Sequence, residues 1–311
     1  MKSTISVIIA NYNHATFIGE ALDAFIGQTR PADEIIVVDD ASTDDSLAVL
    51  AAYQARVPTL KVIASDQNQG TIASSKIGTA AATGDYIYLA GADDRVEPNF
   101  LEESMRALEA HPQAGLSFSM AAYFGETRQV WTGYAPSSET VFLSPEELVQ
   151  IAKHSLFTIP SWTVIFRKEC FLAWGGLHAD LAWNCDWFIS YLVAFDRGAC
   201  FIPKVLANYR LGHTAYGAKW MRQKSDQINY VSLIFRRLSE KQYDCVRSRF
   251  QRSGIISRFG YAFTAALREP AGRSFLTPQF IENAVVIWMR LNCMGLIPGS
   301  IKTTIRDILS K

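Results

Sequence analysis

The segment YIYLAGADD, from Tyr86 to Asp94, joins a run of apolar and aromatic residues to two adjacent carboxylates, Asp93 and Asp94. The run has the composition of a buried strand, whereas two neighbouring like charges repel and each disfavours ionisation of the other. A solvated turn after the strand accommodates such a pair at little cost, and a bound cation would stabilise it. The segment alone leaves both interpretations open.

Three similar runs precede this strand, and a helical pattern separates each run from the next. Near-continuous β-branched strands that alternate with helices indicate a mostly parallel sheet covered by helices on both faces. The sequence therefore predicts an α/β fold. The predicted strands are Ile5–Ala10, Glu34–Asp39, Leu60–Ala64 and Tyr86–Ala90, and the predicted helices are Ala15–Gln28, Asp44–Ala55 and Thr71–Thr83.

The polar residues that follow these strands are the first candidates for ligand binding, because ligands of such sheets bind beyond the carboxyl ends of the strands. Three groups qualify: Asn11, Tyr12 and Asn13; Asp39 and Asp40; and Asp93 and Asp94. Tyr12 offers a flat face for a base, although a tyrosine after a strand is often a packed lid. No GxGxxG or GxxxxGK[ST] follows any strand, so the sequence does not support an ordinary dinucleotide-binding or P-loop protein.

The composition suits a folded protein, since 49% of the 311 residues are hydrophobic and 19% are charged. The five cysteines form no CxxC pair, so we expect reduced thiols and a cytoplasmic location. The N-terminus has the pattern of a first strand and lacks that of a signal peptide. No window reaches the roughly 20 apolar residues of a membrane span.

The chain resembles a family 2 glycosyltransferase with the GT-A fold in four ordered segments: SVIIANYN, EIIVVDDASTDDS, NQGTIASSKIGTAAATGDYIYLAGADD and GGLHADLAWNCDW. The resemblance covers roughly residues 3 to 215. It implies that a sugar moves, with inversion, from a nucleotide-diphosphate donor to an acceptor hydroxyl, usually with Mg²⁺ or Mn²⁺. It also implies a setting in cell-surface polysaccharide or glycolipid assembly, with a UDP-sugar as the favoured donor.

The same resemblance implies roles for individual residues. Ala10, Tyr12 and Asp39 are expected to hold the base and ribose. Asn13, Asp40, Lys76 and Asp93 complete the expected nucleotide-binding set. For Lys76, a solvated helix lysine is an equally good interpretation.

The implied metal site contains Asp93 and Asp94, with Asp94 as the first choice for a direct ligand. His213 lies in a segment similar to the family's Tyr-Arg-x-His pattern and is a further candidate for the metal or the diphosphate. A surface histidine is the alternative for His213. For Arg210 in the same segment, the alternatives are compensation of phosphate charge and a structural ion pair.

Two positions depart from the family's pattern. Gly91 stands where related enzymes often have the first acid of Asp-x-Asp-Asp, and Ser75 stands where they often have Arg or Lys. A single Asp pair suffices when substrate phosphates and waters complete the octahedral shell of Mg²⁺. Gly91 would then let the backbone approach the sugar or ribose closely.

Asp186 is the candidate general base. It follows the Gly175-Gly176 turn, within Asn184-Cys185-Asp186-Trp187, at the position of the family's catalytic acid. A carboxylate among tryptophans is desolvated, which raises its pKa and makes it a better base near neutral pH. A cap or dipole partner is the alternative for an Asp near a helix start. Asp180 is the second choice as the base.

The sequence predicts a catalytic domain over residues 1–215, with a donor half of about 1–97 and an acceptor half of about 98–215. The rest, residues 216–311, contains 16 Lys and Arg against 6 Asp and Glu, although the whole chain is neutral. Expected helices there are Gln227–Ser239, Ile255–Leu267 and Phe280–Met294. Either these helices pack on the catalytic domain, or the region makes peripheral contact with the anionic inner face of the cytoplasmic membrane.

These features together predict an inverting glycosyltransferase that acts on a saccharide or lipid-linked saccharide acceptor and has no nucleic-acid partner. A nucleotidyltransferase on a similar fold would need a Gly-rich, basic phosphate loop near the first strand, and NYNHATFIGE offers none. A degenerate nucleotide-sugar-binding or scaffold module is the non-enzymatic alternative, supported by Gly91 and Ser75.

Overall fold

The computed structural model describes residues 3–125, 129–130, 134–210, 224–278 and 280–282. Within these residues the chain forms two compact units. Unit 1 contains residues 3–125, 129–130, 137–142 and 159–210. Unit 2 contains residues 134–136, 143–158 and the described residues from 224 onward, so it includes a segment from the middle of the chain.

Unit 1 is built on a mixed sheet whose strand order is β3-β2-β1-β4-β9-β6-β10-β5, and β7 pairs with β6. Strands β3, β2, β1 and β4 are mutually parallel, and β9 runs antiparallel between β4 and β6. The described strands are β1 (Ile5–Asn11), β2 (Glu34–Asp39), β3 (Leu60–Ala64), β4 (Tyr86–Gly91), β5 (Arg95–Val96), β6 (Leu116–Phe124), β7 (Gln129–Val130), β8 (Val141–Leu143), β9 (Ile165–Arg167) and β10 (Ala199–Arg210).

Helices flank this sheet and also form unit 2, which confirms the predicted α/β class with a helical C-terminal part. They are α1 (Ala15–Ile26), α2 (Ser46–Gln54), α3 (Thr71–Ala81), α4 (Phe100–Ala110), α5 (Pro145–His154), α6 (Lys168–Ala173), α7 (Cys185–Arg197), α8 (Lys224–Leu238), α9 (Asp244–Ser253), α10 (Tyr261–Ala266) and α11 (Pro270–Arg273). Short 3-10 turns add Ser161–Thr163, Ala179–Asn184, Lys241–Tyr243 and Ile255–Phe259.

The strand register brings the predicted polar residues to one edge of the sheet. Asn11 pairs with Asp39 across β1 and β2, and Ala10 pairs with Gly91 across β1 and β4. The strands lie in the core, where Ile8, Ile9 and Val37 are buried, because each face of the sheet is covered. The carboxyl ends of β1, β2 and β4 therefore form the edge at which Asp93 and Asp94 begin their loop.

The predicted helices of the first hundred residues are two or three residues too long. Helix α3 ends at Ala81 because Ala82 has an extended backbone, and the Thr83 N–H donates to the Glu34 carboxylate. Helix α1 ends at Ile26, immediately before Gly27. Tertiary hydrogen bonds of this kind leave no local signal in the sequence.

Unit 2 has a core of its own, in which Phe235 contacts Phe263 and Phe275, and Phe280 contacts both of these rings. Helix α5 begins with a capping box at Ser144 and Glu147. The Arg258 guanidinium donates to the backbone oxygen of Ser155 at 3.0 Å, just after the end of α5. The mid-chain helix α5 is thus held by an arginine from the C-terminal segment.

The predicted helix over Ile255–Leu267 is wrong, because Gly260 has a φ of +57° and separates the 3-10 turn Ile255–Phe259 from α10. The helix predicted at Gln227–Ser239 is present as α8. The predicted helix Phe280–Met294 lies almost entirely outside the described residues. Among the described residues, no helix is both long and apolar enough to span a bilayer. The four cysteines in this part of the chain are free thiols.

Candidate active site

The loop that carries the two carboxylates after β4 is held by the last residue of β10. The backbone N–H of Arg210 donates to Asp94 Oδ1 at 2.8 Å. The Arg210 guanidinium donates to the backbone oxygen of Asp93 at 2.8 Å and to the Glu20 carboxylate at 2.8 Å. A residue from the end of β10 therefore sets the conformation of the loop that carries the acidic pair.

Arg210 is itself held between two aromatic rings. Its guanidinium carbon lies 4.5 Å from the centroid of the Phe17 ring and 4.4 Å from that of the Phe124 ring. The Arg210–Glu20 contact is the structural ion pair that was one of the two sequence-based alternatives. Arg95 forms a second ion pair with Glu20. Through these contacts Arg210 shapes the loop of the acidic pair, and compensation of phosphate charge by its guanidinium stays a prediction.

The electrostatics of Asp94 indicate a place for a cation. Burial, with the neighbouring charge of Asp93, raises the pKa of Asp94 to about 7, although the contact with Arg210 acts in the opposite direction. A carboxyl with this pKa is only partly ionised at neutral pH. A positive charge beside the pair would favour the ionised form of Asp94.

Gly91 explains how the pair is packed. A Cβ added to Gly91 would lie 2.7 Å from Asp94 Oδ2 and 3.3 Å from Asp93 Oδ1. The space that a side chain at position 91 would need is therefore taken by the two carboxylates. In the structure the acidic pair makes this close approach, and an approach of the sugar or ribose to the Gly91 backbone stays a prediction.

The donor set of this site fits Mg²⁺ or Mn²⁺ bound together with a substrate diphosphate. Two carboxylates, those of Asp93 and Asp94, converge at the sheet edge. Among the described residues no third His, Cys, Asp or Glu side chain completes a metal-binding cluster, so substrate and water would have to supply the remaining ligands. Mg²⁺ is commonly bound by one or two carboxylates plus phosphates and water. The third predicted ligand, His213, lies outside the described residues.

Two of the predicted nucleotide-binding acids are engaged in the protein's own loops. Asp39 is fully buried and accepts hydrogen bonds from the Asn11 side chain at 2.7 Å and from the Ser42 hydroxyl at 2.7 Å. Asp40 accepts the backbone N–H groups of Gln69 and Gly70, immediately before α3. In this structure both acids hold the loops of the sheet edge, and contact with a nucleotide stays a prediction.

The other predicted nucleotide-binding residues lie around the same edge. Tyr12 is 42% exposed, which is compatible with a stacking face. Asn13 has a φ of +53°, and its side-chain oxygen accepts the Thr43 N–H at 2.7 Å. Ala10 is half-buried beside Gly91. Lys76 is exposed on α3, and its charge acts on the Cys185 thiol, next to Asp186.

Asp186 lies in the first turn of α7 and its carboxylate is held by two donors. The Ser161 hydroxyl donates to Oδ2 at 2.6 Å, and the Trp187 N–H donates to Oδ1 at 2.6 Å. Burial raises the pKa of Asp186, and these hydrogen bonds offset part of the rise. A desolvated carboxylate with a raised pKa is suited to accept a proton near neutral pH. Asp180, the second choice, is exposed on the preceding 3-10 turn.

Tyr209 on β10 lies within electrostatic range of both the acidic pair and Asp186. Burial raises the pKa of the Tyr209 phenol to about 12, and the charges of Asp94, Asp93 and Asp186 contribute to the rise in that order. All three carboxylates therefore act on a single hydroxyl on β10. The Tyr209 ring contacts Trp162 with a centroid separation of 5.3 Å and Tyr123 with one of 6.1 Å.

The 3-10 turn Ser161–Thr163 connects the two groups of carboxylates. The Tyr88 hydroxyl donates to the backbone oxygen of Trp162 at 2.8 Å, and Tyr88 belongs to β4, the strand that leads to Asp93. Burial and the charge of Asp94 raise the pKa of Tyr88. Ser161, in the same turn, contacts Asp186. Sequence analysis missed Ser161, Tyr209 and Glu20, because their partners are distant in the chain.

Comparison with known sequences agrees with this geometry. A sequence model described as Glycosyl transferase family 2 matches residues 6–171. The chain is 35% identical over 212 residues to the putative glycosyltransferase EpsH of Bacillus subtilis, an alignment that covers 67% of this chain and 60% of that protein. The chain spans about three fifths of the length of the first curated relatives it matches.

Two solved structures are similar in fold. S. aureus TarS 1-349 in complex with UDP-GlcNAc has a TM-score of 0.65 and 16% identity, and the match covers 92% of this chain and 91% of that one. The mannosyltransferase PcManGT from Pyrobaculum calidifontis, in complex with GDP-Man and Mn²⁺, has a TM-score of 0.62 and 18% identity, and the match covers 100% and 85% of the two chains. At these identities the likeness concerns the fold.

Proposed function

Because the chain belongs to glycosyl transferase family 2 and has the GT-A fold, we propose that it transfers a sugar from a nucleotide-diphosphate sugar to an acceptor hydroxyl. A UDP-sugar is the favoured donor, and the reaction inverts the anomeric centre. One series of contacts carries the proposal: Arg210 donates its backbone N–H to Asp94, the preceding residue Tyr209 packs on Trp162, and Ser161, next to Trp162, donates to Asp186. These contacts support a shared site for the acidic pair and the desolvated base.

In this mechanism Asp186 accepts the proton of the acceptor hydroxyl. The acceptor oxygen attacks the anomeric carbon on the side opposite the leaving diphosphate, and a single displacement of this kind inverts the configuration. The bond to the diphosphate oxygen breaks as the new glycosidic bond forms, and the proton stays on Asp186 Oδ1 or Oδ2 until solvent removes it. The raised pKa of Asp186 supports its part in this step.

Asp94 and Asp93 would hold Mn²⁺ or Mg²⁺ together with the diphosphate of the donor. When bound, such an ion offsets the negative charge on the leaving diphosphate. The Mn²⁺ in the mannosyltransferase complex supports this proposal by similarity of fold. Arg210 fixes the loop of the pair through the backbone oxygen of Asp93, and its N–H orients the Asp94 carboxylate.

The proposal is tested by measuring nucleoside-diphosphate release from a panel of donors in the presence of Mn²⁺. The panel includes UDP-GlcNAc and GDP-Man, the ligands of the two similar structures. We expect one donor to be hydrolysed slowly without an acceptor, and the release to stop in excess EDTA. Binding of a donor with no turnover under any condition would support a degenerate binding module instead.

The acceptor is proposed to be a saccharide or lipid-linked saccharide in the assembly of a cell-surface polysaccharide or glycolipid, at the inner face of the cytoplasmic membrane. In this proposal a catalytic domain over residues 1–215 carries out the reaction. A basic region over residues 216–311 makes peripheral contact with the membrane. We expect binding to anionic vesicles at low salt and its loss as salt rises, because each basic residue near such a surface contributes about 1 kcal/mol. Equal binding to neutral vesicles would contradict this role.

A further inference from the structure

The carboxylate of Asp186 has a partner that the proposed reaction has not yet used. Ser161 lies 25 residues earlier in the chain and donates its hydroxyl proton to Asp186 Oδ2 at 2.6 Å. The Trp187 N–H donates to the other oxygen, Oδ1, at 2.6 Å. Two donors on different oxygens fix the rotation of the carboxylate plane, whereas a single donor would leave it free to turn.

Ser161 belongs to a segment that is pinned on several sides. The Ile159 N–H donates to the Tyr191 hydroxyl of α7 at 3.1 Å, and Tyr88 donates to the backbone oxygen of Trp162 at 2.8 Å. The Thr163 hydroxyl donates to the backbone oxygen of Pro160 at 2.8 Å, which closes the turn. The Ser161 hydroxyl is therefore presented to α7 from a rigid support.

We infer that Ser161 is a positioning residue, which orients the Asp186 carboxylate for proton transfer from the acceptor hydroxyl. The inference rests on the proposed function and assigns part of it to a residue that lies outside the family's acidic motifs. A general base must approach the proton it removes to within about 2.6–3.2 Å. An Asp186 carboxylate held by a hydrogen bond from a fixed turn meets that requirement better than one that rotates freely on the helix.

The groups around Asp186 determine how its titration reports on this bond. Cys185 precedes it on α7, the charge of Asp186 raises the pKa of Tyr209 on β10, and the charge of Lys76 on α3 acts on the adjacent Cys185 thiol. Burial raises the pKa of Asp186, and the Ser161 hydrogen bond lowers it because that bond stabilises the ionised form. Loss of the hydroxyl must therefore raise the pKa further, in addition to loosening the carboxylate.

The decisive variant is Ser161→Ala, compared with Ser161→Thr and with Ser190→Ala. Ser190 donates its hydroxyl to the backbone oxygen of Asp186 at 2.7 Å, so it lies near the same residue without touching the carboxylate. We expect Ser161→Ala to lower kcat by about 10- to 100-fold with little change in the KM for the donor. The acid limb of the pH–rate profile should move to higher pH. Ser161→Thr should keep most of the parent's kcat and a pH–rate profile close to that of the parent. Ser190→Ala should change neither kcat nor the pH–rate profile.

Two outcomes would overturn the inference. One is an unchanged kcat and pH profile in Ser161→Ala, and the other is an equal loss in Ser161→Ala and Ser190→Ala, which would indicate general disturbance of α7. A ¹³C-carboxyl NMR titration of Asp186 in the parent and in Ser161→Ala needs no turnover. An Asp186 pKa that does not rise in the variant defeats the inference, whereas a parent protein inactive with every donor counts against the proposed function.

Discussion

Asp94 and Asp186 are both carboxyls whose pKa is raised by burial, yet their surroundings differ in kind. Asp94 has a second carboxylate beside it, and its partners are the backbone N–H and the charge of Arg210. Asp186 is held by the neutral donors Ser161 and Trp187. The acidic pair gains from a cation that would neutralise it, whereas Asp186 gains from a proton. Similar pKa shifts thus indicate different chemistry once the neighbouring charges are named.

The largest effect is expected from Asp94→Asn, which should abolish transfer and weaken binding of the nucleoside diphosphate in Mn²⁺. At pH 8 and without metal, the melting temperature of Asp94→Asn should be no lower than that of the parent. The pKa of Asp94 in the folded protein is raised to about 7, so ionisation of Asp94 lowers the stability of the parent as pH rises through that value. The amide of the variant cannot ionise and avoids this loss. Donor hydrolysis and thermal melts in EDTA measure the two effects.

The control for this variant is Asp23→Asn on α1, where the side chain is 65% exposed. It makes the same chemical change far from the acidic pair in sequence and should leave turnover and melting temperature unchanged. Full activity of Asp94→Asn, or turnover that persists in excess EDTA, would contradict a metal-binding role for Asp94 that distinguishes it from Asp186.

Asp186→Asn should lower transfer by roughly 10²–10⁴-fold, the usual contribution of general-base catalysis, while affinity for the nucleoside diphosphate stays near that of the parent. The amide keeps the shape of the side chain but has no basic oxygen to accept the proton. Single-turnover rates and diphosphate titrations separate the chemical step from binding. A product with retained anomeric configuration would contradict single displacement, whatever the activity of the variant.

The cation affinity of the acidic pair should depend on pH in a way that Asp186 does not alter. Because the pKa of Asp94 is raised to about 7, a divalent ion must displace a proton below that pH. We expect Mn²⁺ affinity to fall about ten-fold for each pH unit below 7 and to level off above it. Calorimetric titration of Mn²⁺ into the parent and into Asp186→Asn should give parallel curves, and a flat curve in the parent would show that the pair is already ionised.

Glu34 provides a structural carboxyl for contrast. Burial alone would raise its pKa, but hydrogen bonds from Lys61, Ser6 and Thr83 outweigh that effect and lower it to about 2. Glu34→Gln should reduce the free energy of unfolding by about 2 kcal/mol and the melting temperature by about 5 °C. Turnover per folded molecule should be unchanged.

The pH dependence of stability follows from the sign of the Glu34 shift. A lowered folded pKa gives stability that is present above the unfolded value, near 4.5, and is lost as pH falls through about 2. The parent should therefore lose this contribution between these two values, and Glu34→Gln should lack that part of the acid transition. A melting temperature of Glu34→Gln equal to that of the parent at pH 7 would refute the structural role.

The parallel strands could be predicted from the sequence. Glu34–Asp39 has the predicted bounds and is buried throughout, as its continuous β-branched run indicates. Leu60–Ala64 also has the predicted bounds, although it lies at the edge of the sheet and is partly exposed. The antiparallel strand β9 was not anticipated, since three residues between β4 and β6 carry no periodic pattern. In the second unit, Gly260 interrupts a pattern that otherwise favours one continuous helix.

In the candidate site, too, some residues could be predicted from the sequence and others could not. The chain positions of Asp93, Asp94 and Asp186 follow from local motifs, and the charges of all three raise the pKa of Tyr209. Ser161 contacts a residue 25 positions away, and Arg210 contacts Glu20 across 190 positions. Pairings over such distances depend on the order of strands in the sheet, which one sequence without relatives does not reveal. Asp39 was predicted from its strand-end position and the family resemblance to contact the nucleotide, and that stays a prediction; its hydrogen bonds to Asn11 and Ser42 could not be predicted.

Gly91 has a consequence for protein engineering. The family pattern described above often has an acid at this position, and a Cβ there would lie 2.7 Å from Asp94 Oδ2. Consensus design that introduces this acid would therefore force the Asp94 carboxylate to shift, although its other oxygen is held by the Arg210 backbone N–H. Positions 91 and 94 are thus coupled, and a design that changes one of them must also reconsider the other.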